Sequence, residues 1–280
     1  MSDTILVTGG SGGIGAAIAE TLAKQGYRLI LIGQNSAKGK AVAERLIQST
    51  GNPEIHFYSV DLSLMSQVKR LCAFLHKDYP KLSGIVFASG TLSTTRIETG
   101  EGIELVFATQ YLSRFLMTRE LAPLLPEGGN IIWIGAQIPP FVRLNFENLQ
   151  LKQGYWLPRA MVQVQLASHV IVQTFARRHY PHLKINVISP GVVQTALVQK
   201  LTGPLGALGR LILPFIANLA TLPAQMVSSL LNDPVLGTVS GAFFPTPKDP
   251  HRYTHIDYPL DWGTALWDAS LKILDDRDQP

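Results

Sequence analysis

The chain of 280 residues has a single cysteine, Cys72, which excludes an intrachain disulfide framework and any cysteine-cluster metal site. Its seven histidines show no His-x-x-x-His on an expected helix and no acidic metal partner at useful spacing, so no metal is expected. Charge is sparse at 16%, and the 24 basic and 20 acidic side chains are scattered, so the net charge of +4 collects on no stripe. A nucleic-acid partner, which needs such a stripe, is not expected. No apolar run reaches the ~18 residues of a membrane span. The opening MSDTILVTGG lacks the basic-then-apolar organisation of a signal peptide, and a cytoplasmic location is the expectation. Internal repeats and low-complexity tails are also missing, and Ser11 and Ser36 resemble turn and cap residues rather than nucleophiles.

What is present is apolar and periodic. Hydrophobic residues make up 46% of the chain, enough to offset its conformational entropy with a core. Short apolar runs at 5–8, 29–32, 55–60, 84–88, 131–134 and 185–189 alternate with segments of helical period at 13–25, 36–50, 63–78, 101–122 and 159–179. Strands apolar on both faces and separated by helices make a parallel sheet covered on both sides. The expected fold is therefore α/β, a doubly wound, Rossmann-like parallel sheet with helices on both faces. One domain over 1–280 is expected. Residues 201–223 turn Gly-, Pro- and Leu-rich and read as an apolar substrate lid, broken by Pro204, Pro214 and Pro223. Residues 245–280 read as a C-terminal extension in which Trp262 and Trp267 anchor a last helix.

Where the first strand should turn into the first helix stands Thr8-Gly9-Gly10-Ser11-Gly12-Gly13-Ile14-Gly15. Glycine at 9 permits the tight turn, and glycines at 13 and 15 let the helix start approach both a diphosphate and the strand. The backbone amides of such a helix start form an anion site, assisted by the helix dipole.

On these residues the chain resembles the short-chain dehydrogenase/reductase superfamily, whose fingerprint is Thr-Gly-x-x-x-Gly-x-Gly, and the resemblance covers nearly the whole chain. It implies a bound NADP(H) or NAD(H), held at the turn by Thr8, Gly9, Ser11, Gly13, Ile14 and Gly15. Gln34-Asn35 followed by Lys38-Gly39 stands where many NADP-using members carry Arg-Asn and Lys-Gly. No acidic residue is there to hold the ribose hydroxyls, which argues against strict NAD preference. The resemblance puts Asp61 and Leu62 near the adenine, and Pro190, Gly191 and Thr195 near the nicotinamide amide. Ala88-Ser89-Gly90 replaces the family's Asn-Ala-Gly after strand four. Gly102-Ile103-Glu104-Leu105, Phe146-Glu147-Asn148-Leu149, Ala176-Arg177-Arg178 and Leu266-Trp267 are similar to the retinol-dehydrogenase-like branch. Segments 101–122 and 159–179 are dimer faces in many relatives, so a homodimer through Phe115, Val170 and Phe175 is an expectation.

The catalytic half departs from the family pattern. Redox members resemble one another in using a Tyr acidified by a nearby Lys, a Ser that polarises the substrate oxygen, and an Asn that holds a water relay. At those positions this sequence has Met161, Gln165, Ala136 and Gln110, respectively. Carbonyl–alcohol redox needs a group ionisable near neutral pH and a donor at the developing oxyanion. Methionine and alanine offer no proton, and glutamine does not titrate. Tyr155, four residues before Arg159, has a Tyr-x-x-x-basic spacing, but Pro158 suits the first turn of a helix and leaves Tyr155 ahead of it. His169, one turn beyond Gln165, is placed to approach the pocket rim.

Three readings stay open. The first is a non-redox enzyme, such as a cyclase, isomerase or pericyclic-type catalyst, that acts on a small apolar metabolite. The second is an NADP-dependent oxidoreductase with an unorthodox acid such as Tyr155. The third is a catalytically silent NAD(P)-binding regulatory protein.

Overall fold

The computed structural model describes residues 3–139, 141–191 and 220–275. Eight strands join one sheet: β1 (Thr4–Thr8), β2 (Arg28–Gly33), β3 (Ile55–Ser59), β4 (Gly84–Phe87), β5 (Asn130–Ile134), β6 (Lys184–Ile188), β7 (Ala242–Phe244) and β8 (Thr254–His255). Their order is β3-β2-β1-β4-β5-β6-β7-β8. Every neighbouring pair is parallel except β7 and β8. The helices are α1 (Gly13–Lys24), α2 (Ser36–Thr50), α3 (Met65–Asp78), α4 (Leu105–Phe107), α5 (Ser113–Leu121), α6 (Leu157–Thr174), α7 (Thr221–Asn232) and α8 (Leu260–Asp275). A π-helical turn at Ala108–Leu112 joins α4 to α5.

Alternation along the strands feeds two cores, because successive side chains of a strand point to opposite faces. Ile5, Val7, Val86 and Ile132 pack with Ile18 and Leu22 of α1 and Val227 of α7. Leu6, Ile85, Phe87 and Trp133 pack with Phe107, Tyr111, Phe115 and Phe175 on the other side. The strand order reverses between β1 and β4, and this switch point opens a crevice at the carboxyl ends of the strands. The doubly wound α/β expectation therefore holds.

Several boundaries differ from the sequence expectation for local reasons. The segment 101–122 becomes helical only at Leu105, because the Glu104 carboxylate accepts from the N–H groups of Val106 and Phe107 and sets the start. β7 and β8 were not anticipated. They have three and two residues, too few for a period to register. Of the expected lid, 201–219 lie outside the described residues, and 221–223 form the first turn of α7. No helix among the described residues is long and apolar enough to cross a membrane.

The C-terminal helix corrects the expected dimer contacts. Phe115, Val170 and Phe175 are at most 1% exposed. The Trp267 indole of α8 lies 5.1 Å from the Phe115 ring and 5.3 Å from the Phe175 ring, and it stacks on His179 at 3.7 Å. Those three side chains are interior, so they offer nothing to a second copy. The α6–α8 crossing is close because residue 263 is glycine: a Cβ there would run into the Thr174 hydroxyl. Gly263→Ala is expected to lower stability by roughly 1–3 kcal/mol through overpacking, read as a lower urea midpoint at unchanged slope.

Candidate functional site

At the crevice, three backbones crowd together. Gly9 has φ +72°, and a Cβ on it would sit 2.8 Å from the backbone of Ala88 and Ser89. A Cβ on Gly15 would overlap the Gly9 carbonyl, so the start of α1 lies directly on the turn. Thr8 fastens the two strand ends, because its Oγ1 donates to Ser89 Oγ at 3.1 Å and accepts from Ser89 N at 3.2 Å. Gly13 has φ +54° with open space where its Cβ would be, and Gly12, the residue before α1, provides no side-chain cap. The first N–H groups of α1 are thus left for an anion, as a diphosphate requires. Ile14 packs on the core behind the turn.

The far side of the crevice is polar. A Cβ on Gly33 would lie 2.7 Å from Ser11 Oγ, so the Ser11 hydroxyl faces the end of β2. Asn35 caps α2 by accepting from Lys38 N at 2.8 Å. Gln34 Nε2 donates to Asp61 Oδ2 at 2.8 Å, while Asp61 Oδ1 takes the Ser63 N–H and hydroxyl. Leu62 beside it is buried. The Lys38 ammonium reaches back to the glycine turn, where a Cβ on Gly12 would be 2.8 Å from Nζ. It has no ion pair among the described residues. Gly191, after Pro190, has φ +79° and follows β6, and Thr195 lies outside the described residues.

Residues 110, 136, 161 and 165 lie together. Met161 and Gln165 share one face of α6, one turn apart. Gln165 Oε1 accepts from Ala136 N at 2.9 Å, and the seat exists because a Cβ on Gly135 would fall 2.9 Å from that oxygen. Gln110 Nε2 donates to Thr91 O at 2.6 Å and lies 4.0 Å from Met161 Sδ. Gly90 meets the other end of the same amide, with its Cβ position 3.7 Å from Gln110 Oε1. These partners orient both amides. Gln110 Oε1 and Gln165 Nε2 have no partner among the described residues. The group contains one open acceptor, one open donor, a thioether and a methyl, with nothing that titrates near neutrality.

Tyr155 is not part of this group. It precedes α6, which starts with Pro158 in its first turn, and its hydroxyl donates to Ser93 O at 2.9 Å. Burial, with the Glu104 carboxylate nearby, raises the phenol above its ordinary value, the wrong direction for a general acid.

Two buried cationic-type residues at the site are informative. Arg114, one turn beyond Gln110 and 2% exposed, donates through Nη1 to Ile134 O at 2.7 Å and through Nη2 to Ser89 O. It thus bridges the ends of β4 and β5, and burial brings its guanidinium down to about 9. Sequence reading missed it. The available signal was a lone charge at i+4 from Gln110 in a helix otherwise apolar at those turns. His169 is 4% exposed, and its ring bonds the backbone of Ala136. Gln165 and His169 therefore both hold the backbone of Ala136 from one helix. No group of three or more His, Cys, Asp or Glu residues among the described residues is arranged to hold a metal.

Residues 3–140 match the family model described as short chain dehydrogenase. The chain is 30% identical over 200 residues to human polyprenol dehydrogenase, a match that covers 68% of this chain but only 60% of that relative. It is 26% identical over 259 residues to mouse retinol dehydrogenase 14, covering 88% of this chain and 70% of the other. Among solved structures, a Mycobacterium paratuberculosis protein has the same fold at TM-score 0.75 and 21% identity, covering 98% of this chain and 93% of its own. A Shigella flexneri short chain dehydrogenase complexed with NADP aligns at TM-score 0.64 and 22% identity, over 86% and 95%. The fold and crevice are those of a doubly wound α/β protein with a glycine turn suited to a diphosphate. More specifically, residues 3–140 are similar to the short-chain dehydrogenases, and retinol dehydrogenases are among the proteins that the chain resembles.

Burial pushes the His169 imidazole down to about 4 from the ordinary 6.5. Between those values the unfolded chain takes up a proton that the folded chain refuses. Stability is therefore lost as pH falls from about 6.5 to about 4, by up to about 3 kcal/mol from this group. Chemical denaturation at a series of pH values is expected to show this loss in the native chain and a flatter profile in His169→Gln.

Proposed function

We propose that this chain binds a nicotinamide cofactor, NADP(H) in preference to NAD(H), beside a pocket for a small apolar molecule. On that molecule it acts as a non-redox enzyme, of cyclase, isomerase or pericyclic type. The observation that carries the reading is the convergence of Gln110, Ala136, Met161 and Gln165 with no ionisable group among them. The dehydrogenase relatives support the cofactor half of the proposal. The residues at these four positions oppose the carbonyl–alcohol half, since a single lost oxyanion donor costs roughly 10²–10³ in rate and four members of one unit are changed.

The chain's own residues then do what neutral groups can do. The amide ends left open, Gln110 Oε1 and Gln165 Nε2, orient a hydroxyl or carbonyl of the substrate beside the Met161 thioether. Holding a near-attack conformer accelerates a rearrangement without proton transfer. A bound nicotinamide supplies a flat wall to this pocket and a hydride that the chain has no acid to accompany. Tyr155 as substitute acid is disfavoured by its bond to Ser93 O and its raised pKa. Ser11, Lys38 and the amides of Gln34 and Asn35 suit a 2′-phosphate, because a free ammonium faces the turn and the residues that follow β2 in the chain, Gln34 and Asn35, are not acidic.

The test is titration of the protein with NADPH and NADH by cofactor fluorescence, followed on the same sample by absorbance of the reduced nicotinamide with a panel of aldehydes and ketones. Saturable binding without consumption is expected, and turnover of any panel member overturns the non-redox reading. Lys38→Gln is expected to weaken NADPH about tenfold or more, the worth of ~1.5–3 kcal/mol for a charged hydrogen bond, while NADH shifts by less than about twofold. If a panel member did turn over, Tyr155→Phe would leave its rate within about twofold, since the phenol is bonded away from the pocket.

A further inference from the structure

A cleft of about 1060 Å³ opens between the loop after β5 and the segment that joins β7 to α8. That volume is at the upper end of small-molecule sites. It shares no lining residue with the glycine turn or with Gln110, Ala136, Met161 and Gln165. Its walls are aromatic and aliphatic: Phe141 is 83% exposed at one side, and Tyr258 stacks on Trp262 at 6.1 Å on the other.

Two features separate it from a plain apolar groove. Arg143 and Arg252 line it, and neither has an ion pair among the described residues. The carboxylate in the same wall, Asp257, is engaged by Arg177 at 3.1 Å. The second feature is His169, a buried member of the wall whose ring lies 4.8 Å from that of Phe243. Its Nε2 has no hydrogen-bond partner. A neutral imidazole that donates through one ring nitrogen keeps the other as an acceptor, and a buried acceptor without a donor is a defect that a ligand can repair.

We propose that this cleft binds an amphipathic anion: an apolar body against Phe141, Tyr258 and Trp262, a carboxylate or phosphate head between Arg143 and Arg252, and a hydroxyl that donates to His169. Guanidinium pairs suit both heads, since each presents paired oxygens to a planar fork of donors. The site stands independently of the cofactor reading, and its test uses no cofactor. Occupancy would also reach the crevice, because His169 and Gln165 both hold the backbone of Ala136.

The experiment is calorimetric titration of the full chain with decanoate, decyl phosphate and decanamide, the last a neutral control of equal length. One saturable site is expected, with either anion at least tenfold tighter than decanamide, and the tighter anion identifies the head. Arg143→Gln with Arg252→Gln, two exposed positions, should remove that preference. Val142→Trp, which fills the trough, should abolish binding of every probe. A hydroxylated decanoate should gain at least threefold over decanoate, and His169→Phe should erase the gain. Equal binding of anion and amide, full binding in the double arginine variant, or unchanged binding in Val142→Trp overturns the proposal.

Discussion

Backbone packed on backbone, without space for a Cβ, is the constraint on which the site depends. Gly9 lies against Ala88 and Ser89, and Gly15 lies against Gly9. Through these contacts the start of α1 and the ends of β1 and β4 share one small volume. Thr8 and Arg114 then tie the same ends together, one through Ser89 Oγ and N and the other through the carbonyls of Ser89 and Ile134. A crevice built this way presents N–H groups rather than side chains, and this is why it suits a diphosphate.

The second organising element is α6. Met161, Gln165 and His169 follow one another at i, i+4 and i+8, so one helix face serves the crevice with its first two members and the outer cleft with its third. Ala136 joins them, its N–H taken by Gln165 and its backbone bonded by His169. In redox relatives of this superfamily the family pattern implies an ionisable pair on this face. Here the face is neutral, and the buried cation of the region is Arg114, committed to strand-end carbonyls. The opposite side of α6 is covered by α8, whose Trp267 fills the space between Phe115, Phe175 and His179.

Much of this architecture was legible along the chain. Strands such as Thr4–Thr8, buried at every position, announce themselves as short apolar runs, and the parallel sheet follows from their alternation with helices. The glycine turn was legible because its residue types are dictated by φ and by close approach. Pro158 correctly marked the first turn of α6 and so put Tyr155 outside it. Other features rest on hydrogen bonds that an apolar period does not announce. Asn35, expected at the cofactor, also caps α2 through Oδ1. The start at Leu105 depends on the Glu104 carboxylate, and the pairing of β8 with β7 depends on where the chain returns after Phe244.

The sequence by itself determined the strand and helix pattern, the glycine turn and the un-ionisable side chains at positions 110, 136, 161 and 165. Each is a property of residue type at a given spacing. Only the tertiary structure decided that Phe115, Val170 and Phe175 are interior, that Arg114 bridges two strand ends, and that His169 is a neutral wall of a second cleft. Those outcomes come from contacts between segments far apart in the chain, such as Tyr111 with Ser270 and Gln173 with Tyr258. Such contacts depend on the summed packing of the whole core, which no local period encodes.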